Sequence, residues 1–210
     1  MARPITAELV LTGYMRGAFP MCEPVTGRID WFTCDPRALV PLDARFRVPR
    51  SLQRTVRSGR FEFRVDTAFD RVVEGCAHDR GADNRNWIGP EIRRVYGELH
   101  AMGFAHSVEA WRGGELVGGL YGVALKGAFF GESMFHVPGP GTDASKACLV
   151  HLVARLRRGG FLLCDSQYSN DHMAQFGVFE VGAREYASML EDALEADGRW
   201  DVEGDPLQGR

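Results

Sequence analysis

An α+β fold, in which a central sheet is covered by helices, is predicted by three features of the sequence. Strand-like runs at 106–111, 116–125 and 128–135 are joined by Gly113-Gly114 and Lys126-Gly127, short polar breaks of the kind that close hairpins, so they read as an antiparallel meander. Helical periodicity flanks the meander, first through Ile92, Val95, Tyr96 and Leu99, then through Leu149, Leu152, Val153 and Leu156. With 210 residues, 45% of them hydrophobic, the chain can bury a full core and still carry a small accessory domain.

Taken in order, the first helix starts at an N-cap Thr6, with Ile5 and Val10 at the positions of a hydrophobic staple, and ends near Gly17. Residues 19–41 mix aromatic residues with Pro and Gly and read as short strands and turns packed on something larger. Pro49 to Ser58 reads as a short helix, Phe61 to Val65 as a strand and Thr67 to Ala77 as a helix. A polar loop from His78 to Asn86 leads to the helix at Glu91 to Met102, which Gly103 stops. After the meander and the turn Pro138 to Gly141, Asp143 is placed to cap a helix that stops at Gly159-Gly160. Phe161 to Cys164 follows as a short buried strand, then helices near 171–176 and 183–194, and a poorly ordered tail at 197–210.

Composition excludes several classes. A net charge of −3 leaves nucleic-acid contact to a local patch. The five cysteines are odd in number and include no C-x-x-C pair, against a disulfide framework or a zinc knuckle. No early segment reads as a signal peptide, and no apolar run reaches the ~20 residues of a membrane span. The six histidines show no ligand spacing, so no metal is expected. Phosphate loops, dinucleotide fingerprints and nucleophile elbows are absent.

Three places could carry chemistry. Phe129 to Phe135 sets Glu132 and Ser133 inside an aromatic and apolar run, where a carboxylate must be paired, hydrogen-bonded or neutralised. It reads either as a half-buried strand whose Glu reaches water at an edge or as a pocket wall. Regular alternation would put Phe130, Glu132 and Met134 on one face and Phe129 and Ser133 on the other. Arg50, Arg54 and Arg57 share one helix face, either as a solvated surface or as a stripe that tracks phosphates. Asp165 and Gln167 share a face if extended, at a strand end where sites in mixed folds collect, although an Asp there also serves as a turn or cap residue.

Several strings then resemble one family in their order. They are Tyr14 to Pro20, Asp35-Pro36-Arg37, Arg50-Ser51-Leu52, Trp87-Ile88, His106 to Trp111, Leu116 to Val123, Phe130 to Phe135, Ala144-Ser145-Lys146 and Asp165-x-Gln167. Over about residues 6 to 190 the chain resembles the leucyl/phenylalanyl-tRNA-protein transferases. The resemblance implies an acetyltransferase-like (GNAT-like) mixed sheet flanked by helices at 44–196, with a small N-terminal α/β subdomain at 1–43. It implies transfer of Leu, Phe or Met from aminoacyl-tRNA to proteins with N-terminal Arg or Lys, marking them for N-end-rule degradation, by a cytoplasmic monomer without cofactor or metal. By position, Trp87, Leu120, Phe129, Leu152 and Met21 then line the pocket for the aminoacyl side chain. Tyr14, Glu132, Ser133 and Asn170 contact the terminal adenosine or the acceptor. Asp165 and Gln167 form the reacting pair, and Arg50, Arg54 and Arg57 hold the tRNA. The alternatives are an enzyme of this fold with another acyl donor and a non-catalytic RNA- or peptide-binding derivative. For the resemblance to hold at Phe129 and Glu132 together, a bulge or twist is needed at Gly131.

Overall fold

A computed structural model describes residues 5–78, 86–204, 206 and 207, so most of the expected loop at 78–86 lies outside the described residues. The first helix, α1 (Ala7–Met15), begins as its sequence predicts: the Thr6 hydroxyl accepts the Leu9 N–H at 3.3 Å, and Gly17 ends the turn at φ 74°. After it, β1 (Phe19–Cys22) and β2 (Ile29–Phe32) pair as an antiparallel hairpin of their own. The main sheet has seven strands, in the order β4 (Glu62–Val65), β5 (Ala105–Arg112), β6 (Glu115–Leu125), β7 (Ala128–His136), β8 (Leu163–Gln167), β3 (Arg37–Leu39), β9 (Phe179–Val181). The expected meander is its centre. Among the described strands only β7 and β8 run parallel, and such a pair needs a long crossover, here α5 (Ala144–Arg158).

Side-chain alternation divides the core in two. Tyr121, Phe130 and Leu163 face the layer of α1, α3 (Phe69–Cys76), α4 (Pro90–Ala101) and α7 (Ala183–Glu195). Leu120, Phe129 and Cys164 face α5 and α2 (Arg50–Arg57). Burial of Leu149, Leu152, Val153 and Leu156 fixes α5 on that second face, each side chain stabilising by about 1.5–3 kcal/mol.

Four expectations change. The boundary at residue 43 does not separate a subdomain, because β3 is an interior strand of the main sheet, hydrogen-bonded to β8 and β9. The tail is packed at Trp200, which is buried against Phe129 and His106 and donates its indole N–H to Asp66 at 2.8 Å. Asp143 precedes α5 in a left-handed conformation and does not cap it; its carboxylate meets Lys146 at 2.9 Å instead. The strand expected at 161–164 runs instead from Leu163 to Gln167, so Asp165 belongs to the sheet.

Candidate active site

A bulge opens the site. In the β6–β7 ladder Gly122 opposes Gly131 and Tyr121 opposes Ser133, so Glu132 is the extra residue. One inserted residue inverts the alternation beyond it: Phe130 and Phe135 pack on the α1/α4 side, and Met134 joins Phe129 on the α5 side. The grouping of Phe130, Glu132 and Met134 on one face is thereby corrected. The parallel pairing ends at Phe130 and Asp165, while β7 continues to His136 and β8 to Gln167. Between the unpaired ends lies a cleft of about 660 Å³, within the usual range for a small-molecule site.

The cleft wall includes the apolar Val40, Leu120, Met134, Leu149, Leu152 and Met173, all of the α5-side core. It also includes the polar Glu132, Ser133, Gln167 and Asn170. Of the expected site residues, Leu120, Leu152, Glu132, Ser133, Asn170, Asp165 and Gln167 line this one cleft. Asn170 also caps the short α6 (Asp171–Ala174), its side-chain oxygen accepting the Met173 N–H at 2.9 Å. Trp87, Met21 and Phe129 are not on the cleft wall. Trp87 and Met21 pack against the α1/α4 core, where the Trp87 carbonyl accepts the Cys22 N–H at 3.1 Å. Phe129 lies against Gly122, where a Cβ would come 2.6 Å from its ring, and Trp200 stacks on it.

Asp165 is fully buried and saturated. Arg37 grips it with Nε at 2.9 Å and Nη2 at 2.7 Å, the Tyr186 hydroxyl donates at 2.6 Å, and the Gln167 backbone N–H donates at 2.8 Å. Burial works against the Arg37 charge, but the hydrogen bonds and charge of Asp165 outweigh it and raise the Arg37 pKa. Arg37 and Tyr186 also line a second cleft, of about 640 Å³. Sequence reasoning missed both partners. Arg37 stands in the Asp35-Pro36-Arg37 string with no role attached to it, and Tyr186 lies on the buried stripe of α7, where nothing local marks it as a partner.

Gln167 departs from strand geometry. Its φ of 57° places it in the left-handed region, so it and Asp165 do not share a face as extended residues would. The Asp165 carboxylate holds its backbone N–H, and the Cys34 thiol donates to its carbonyl at 3.1 Å. The Gln167 side chain borders the cleft, and its buried Nε2 has no hydrogen-bond partner among the described residues. Strain of roughly 1–3 kcal/mol at such a residue persists only where the surroundings enforce it, as these two bonds do.

Glu132 is in the opposite condition. Its oxygens lie 2.5 Å from the Tyr14 hydroxyl and 3.1 Å from the Tyr96 hydroxyl, and the two hydroxyls are also in hydrogen-bond contact with each other, so two phenol protons serve three contacts. Removal from water pushes its pKa up to about 7, against the lowering effect of both hydroxyls. Tyr14 is itself buried and reaches the cleft only through Glu132.

Outside the cleft, Arg50, Arg54 and Arg57 are exposed on α2, which Leu52 anchors in the core. Among the described residues none of the three makes an ion pair, whereas Arg28, Arg45, Arg64 and Arg94 are each paired with a nearby carboxylate. The Arg47 N–H donates to the Phe176 carbonyl at 3.0 Å, which ties the segment before α2 to the one after α6, and α6 contributes Asp171, His172 and Met173 to the cleft wall.

Comparison with known proteins shows the family. A family model described as leucyl/phenylalanyl-tRNA protein transferase matches residues 39–191. A leucyl/phenylalanyl-tRNA–protein transferase of Akkermansia muciniphila is 52% identical over 191 residues, covering 91% of this chain and 97% of that protein. Those of Nitrobacter winogradskyi (52%, 97% of this chain and 88% of that one) and Salinibacter ruber (50%, 95% and 85%) are similar. Among solved structures, the C-terminal domain of a putative lysylphosphatidylglycerol synthetase from Agrobacterium fabrum aligns at TM-score 0.46 and 14% identity, over 90% of this chain and 63% of that chain. With half of its residues shared across nearly the full length of these proteins, the chain belongs to the leucyl/phenylalanyl-tRNA protein transferase family.

Proposed function

We propose that the protein moves Leu, Phe or Met from aminoacyl-tRNA to the α-amine of proteins that begin with Arg or Lys, marking them for N-end-rule degradation. One observation carries the reading: a single cleft is lined both by apolar side chains and by Gln167, whose backbone is held by Asp165 and Cys34 and whose Nε2 has no partner among the described residues. Leu120, Leu149, Leu152 and Met134 take the aminoacyl side chain, and the Gln167 Nε2–H donates to the ester carbonyl. The Gln167 side-chain oxygen accepts an N–H of the incoming amine.

In the reaction the amine nitrogen attacks the carbonyl carbon and a C–N bond forms. Charge that develops on the oxygen is held by the Gln167 amide. The C–O bond to the terminal ribose then breaks, and the proton lost by nitrogen reaches the ribose oxygen through solvent or the neighbouring hydroxyl. The ester is already activated, so holding the two reactants in line supplies much of the rate. Asp165 positions Gln167 and is not the base, since its oxygens are occupied by Arg37, Tyr186 and the Gln167 N–H.

The α2 arginines hold acceptor-stem phosphates, because three guanidinium groups without an ion pair among the described residues lie on one helix, and the segment before it is tied to the one after α6, a helix that lines the cleft. Aminoacyl-tRNA is met in the cytoplasm, where the protein acts as a monomer. The test is incubation with labelled Phe-tRNA and Leu-tRNA and a peptide beginning with Arg, with acetyl-CoA in a parallel reaction. Transfer from tRNA is expected; transfer from acetyl-CoA alone would overturn the reading.

A further inference from the structure

Two residues that line the cleft each carry a buried polar atom without a partner among the described residues: Gln167 its Nε2 and Tyr121 its hydroxyl. Tyr121 is fully buried, its ring edge-on to those of Phe69 and Tyr96. Its neighbour Tyr96 donates to Glu132, and burial together with the Glu132 charge keeps the Tyr121 hydroxyl protonated. Glu132, which lines the cleft, meets one tyrosine on each oxygen and keeps further acceptor capacity on both. An orphaned buried hydroxyl is costly, so its retention beside a carboxylate calls for a ligand that completes both.

The missing groups define that ligand. Near Glu132 and Tyr121 it must donate several hydrogen bonds and favour negative charge. At Gln167 it must accept one. An α-aminoacyl ester has this pattern, with an ammonium and a carbonyl oxygen on adjacent carbons. We infer that Glu132 and Tyr121 together bind the α-ammonium of the aminoacyl group being transferred, so that the cleft selects donors with a free amine. This deepens the proposed function and rests on its placement of the ester carbonyl at Gln167. It gives Tyr121 a substrate-binding role and assigns Glu132 to the donor amine, apart from the adenosine and the acceptor.

The test uses two non-reactive probes, 3′-deoxy-3′-(phenylalanylamido)adenosine and its counterpart built from 3-phenylpropanoic acid, which lacks only the amine. Calorimetry on the wild-type protein is expected to show the amine-bearing probe binding roughly tenfold or more tightly, as for a hydrogen-bonded charged group. In Tyr121→Phe the preference is expected to shrink several-fold while the thermal midpoint holds or rises, since the change removes a hydroxyl with no protein partner among the described residues. Transfer kinetics of that variant should show a raised KM for Phe-tRNA and a kcat within about twofold, because the interaction is made before and during the reaction. Equal binding of the two probes by the wild type, or an unchanged preference in Tyr121→Phe, would overturn the inference. A preserved amine preference without any transfer to the Arg peptide would instead count against the proposed function and leave amine recognition standing.

Discussion

Asp165 and Glu132 stand on neighbouring strands and line one cleft, and their carboxylates are in opposite states. Asp165 is matched by a bidentate arginine, a phenol and a backbone amide. Glu132 has two phenols and, among the described residues, no cation bonded to it, and its pKa is pushed up to about 7. A carboxylate that is fully paired can hold another residue in place but has nothing left to offer a substrate. One that is incompletely satisfied is a poor structural element and a good binding group. The cleft uses one of each.

The largest effect is expected from breaking the saturated site. Arg37→Met strands the buried Asp165 and should cost about 3–5 kcal/mol in urea unfolding, whereas Arg37→Met with Asp165→Leu should recover most of that loss. Transfer should fail in both, because the first disturbs the Asp165 carboxylate and the second removes the acceptor of the Gln167 N–H; activity in the stable double variant would show that Asp165 does not position Gln167. Gln167→Ala isolates the next step. It should lower the single-turnover rate about 10²–10³-fold with little change in thermal midpoint, since no described protein group bonds Nε2. A wild-type rate would remove Gln167 from the reacting groups.

Glu132→Gln tests the unsaturated partner through pH. The folded protein favours the protonated acid, with a pKa near 7 against an ordinary 4.5, so it binds more protons than the unfolded chain between those values. Glu132 therefore contributes stability that is full below pH 4.5 and is lost as pH rises through 7, about 3 kcal/mol in all. The groups around it are Tyr14, Tyr96, Asp165 and Arg37, of which Asp165 raises and Arg37 lowers the same pKa. Unfolding of Glu132→Gln at pH 5 and pH 8 should lack this slope; an unchanged slope would place the titration elsewhere. The smallest effect lies outside the cleft. Arg54→Glu and Arg57→Glu should each flatten the salt dependence of tRNA binding by about one unit of log–log slope for every phosphate no longer neutralised, with the rate at saturating tRNA retained. A salt slope equal to that of the wild type would make α2 an ordinary solvated helix.

Local pattern was legible where local physics decides. The Thr6 cap, the helix at 50–57, the meander and the stop after α5 all follow from capping, turn chemistry and periodicity within a few residues. A bulge is expected near Gly131 so that Phe129 and Glu132 can meet one ligand; one occurs a residue on, at Glu132, but Phe129 stays off the cleft wall, so that reason for it does not hold. Short runs were less legible. Residues 37–39 and 179–181 are too brief to show a period, yet they form the neighbouring strand and the edge that complete the sheet. The tail looked polar and unstructured because its docking rests on a single large aromatic residue, Trp200, and on backbone groups that Arg155, Arg158 and Gly159 meet.

Residue order was enough to name the side chains on which the cleft could draw: a carboxylate in an aromatic strand, an Asp and a Gln two apart, an arginine row and an apolar helix face. Their states came from long-range packing. Arg37 and Asp165 meet across 128 positions, and Tyr14 and Glu132 across 118. Spacing along a chain reports what shares a face, whereas a carboxylate's charge depends on which donors and how much water surround it. Only the folded sheet sets those, and it separates the aspartate that holds the site together from the glutamate that is left to bind.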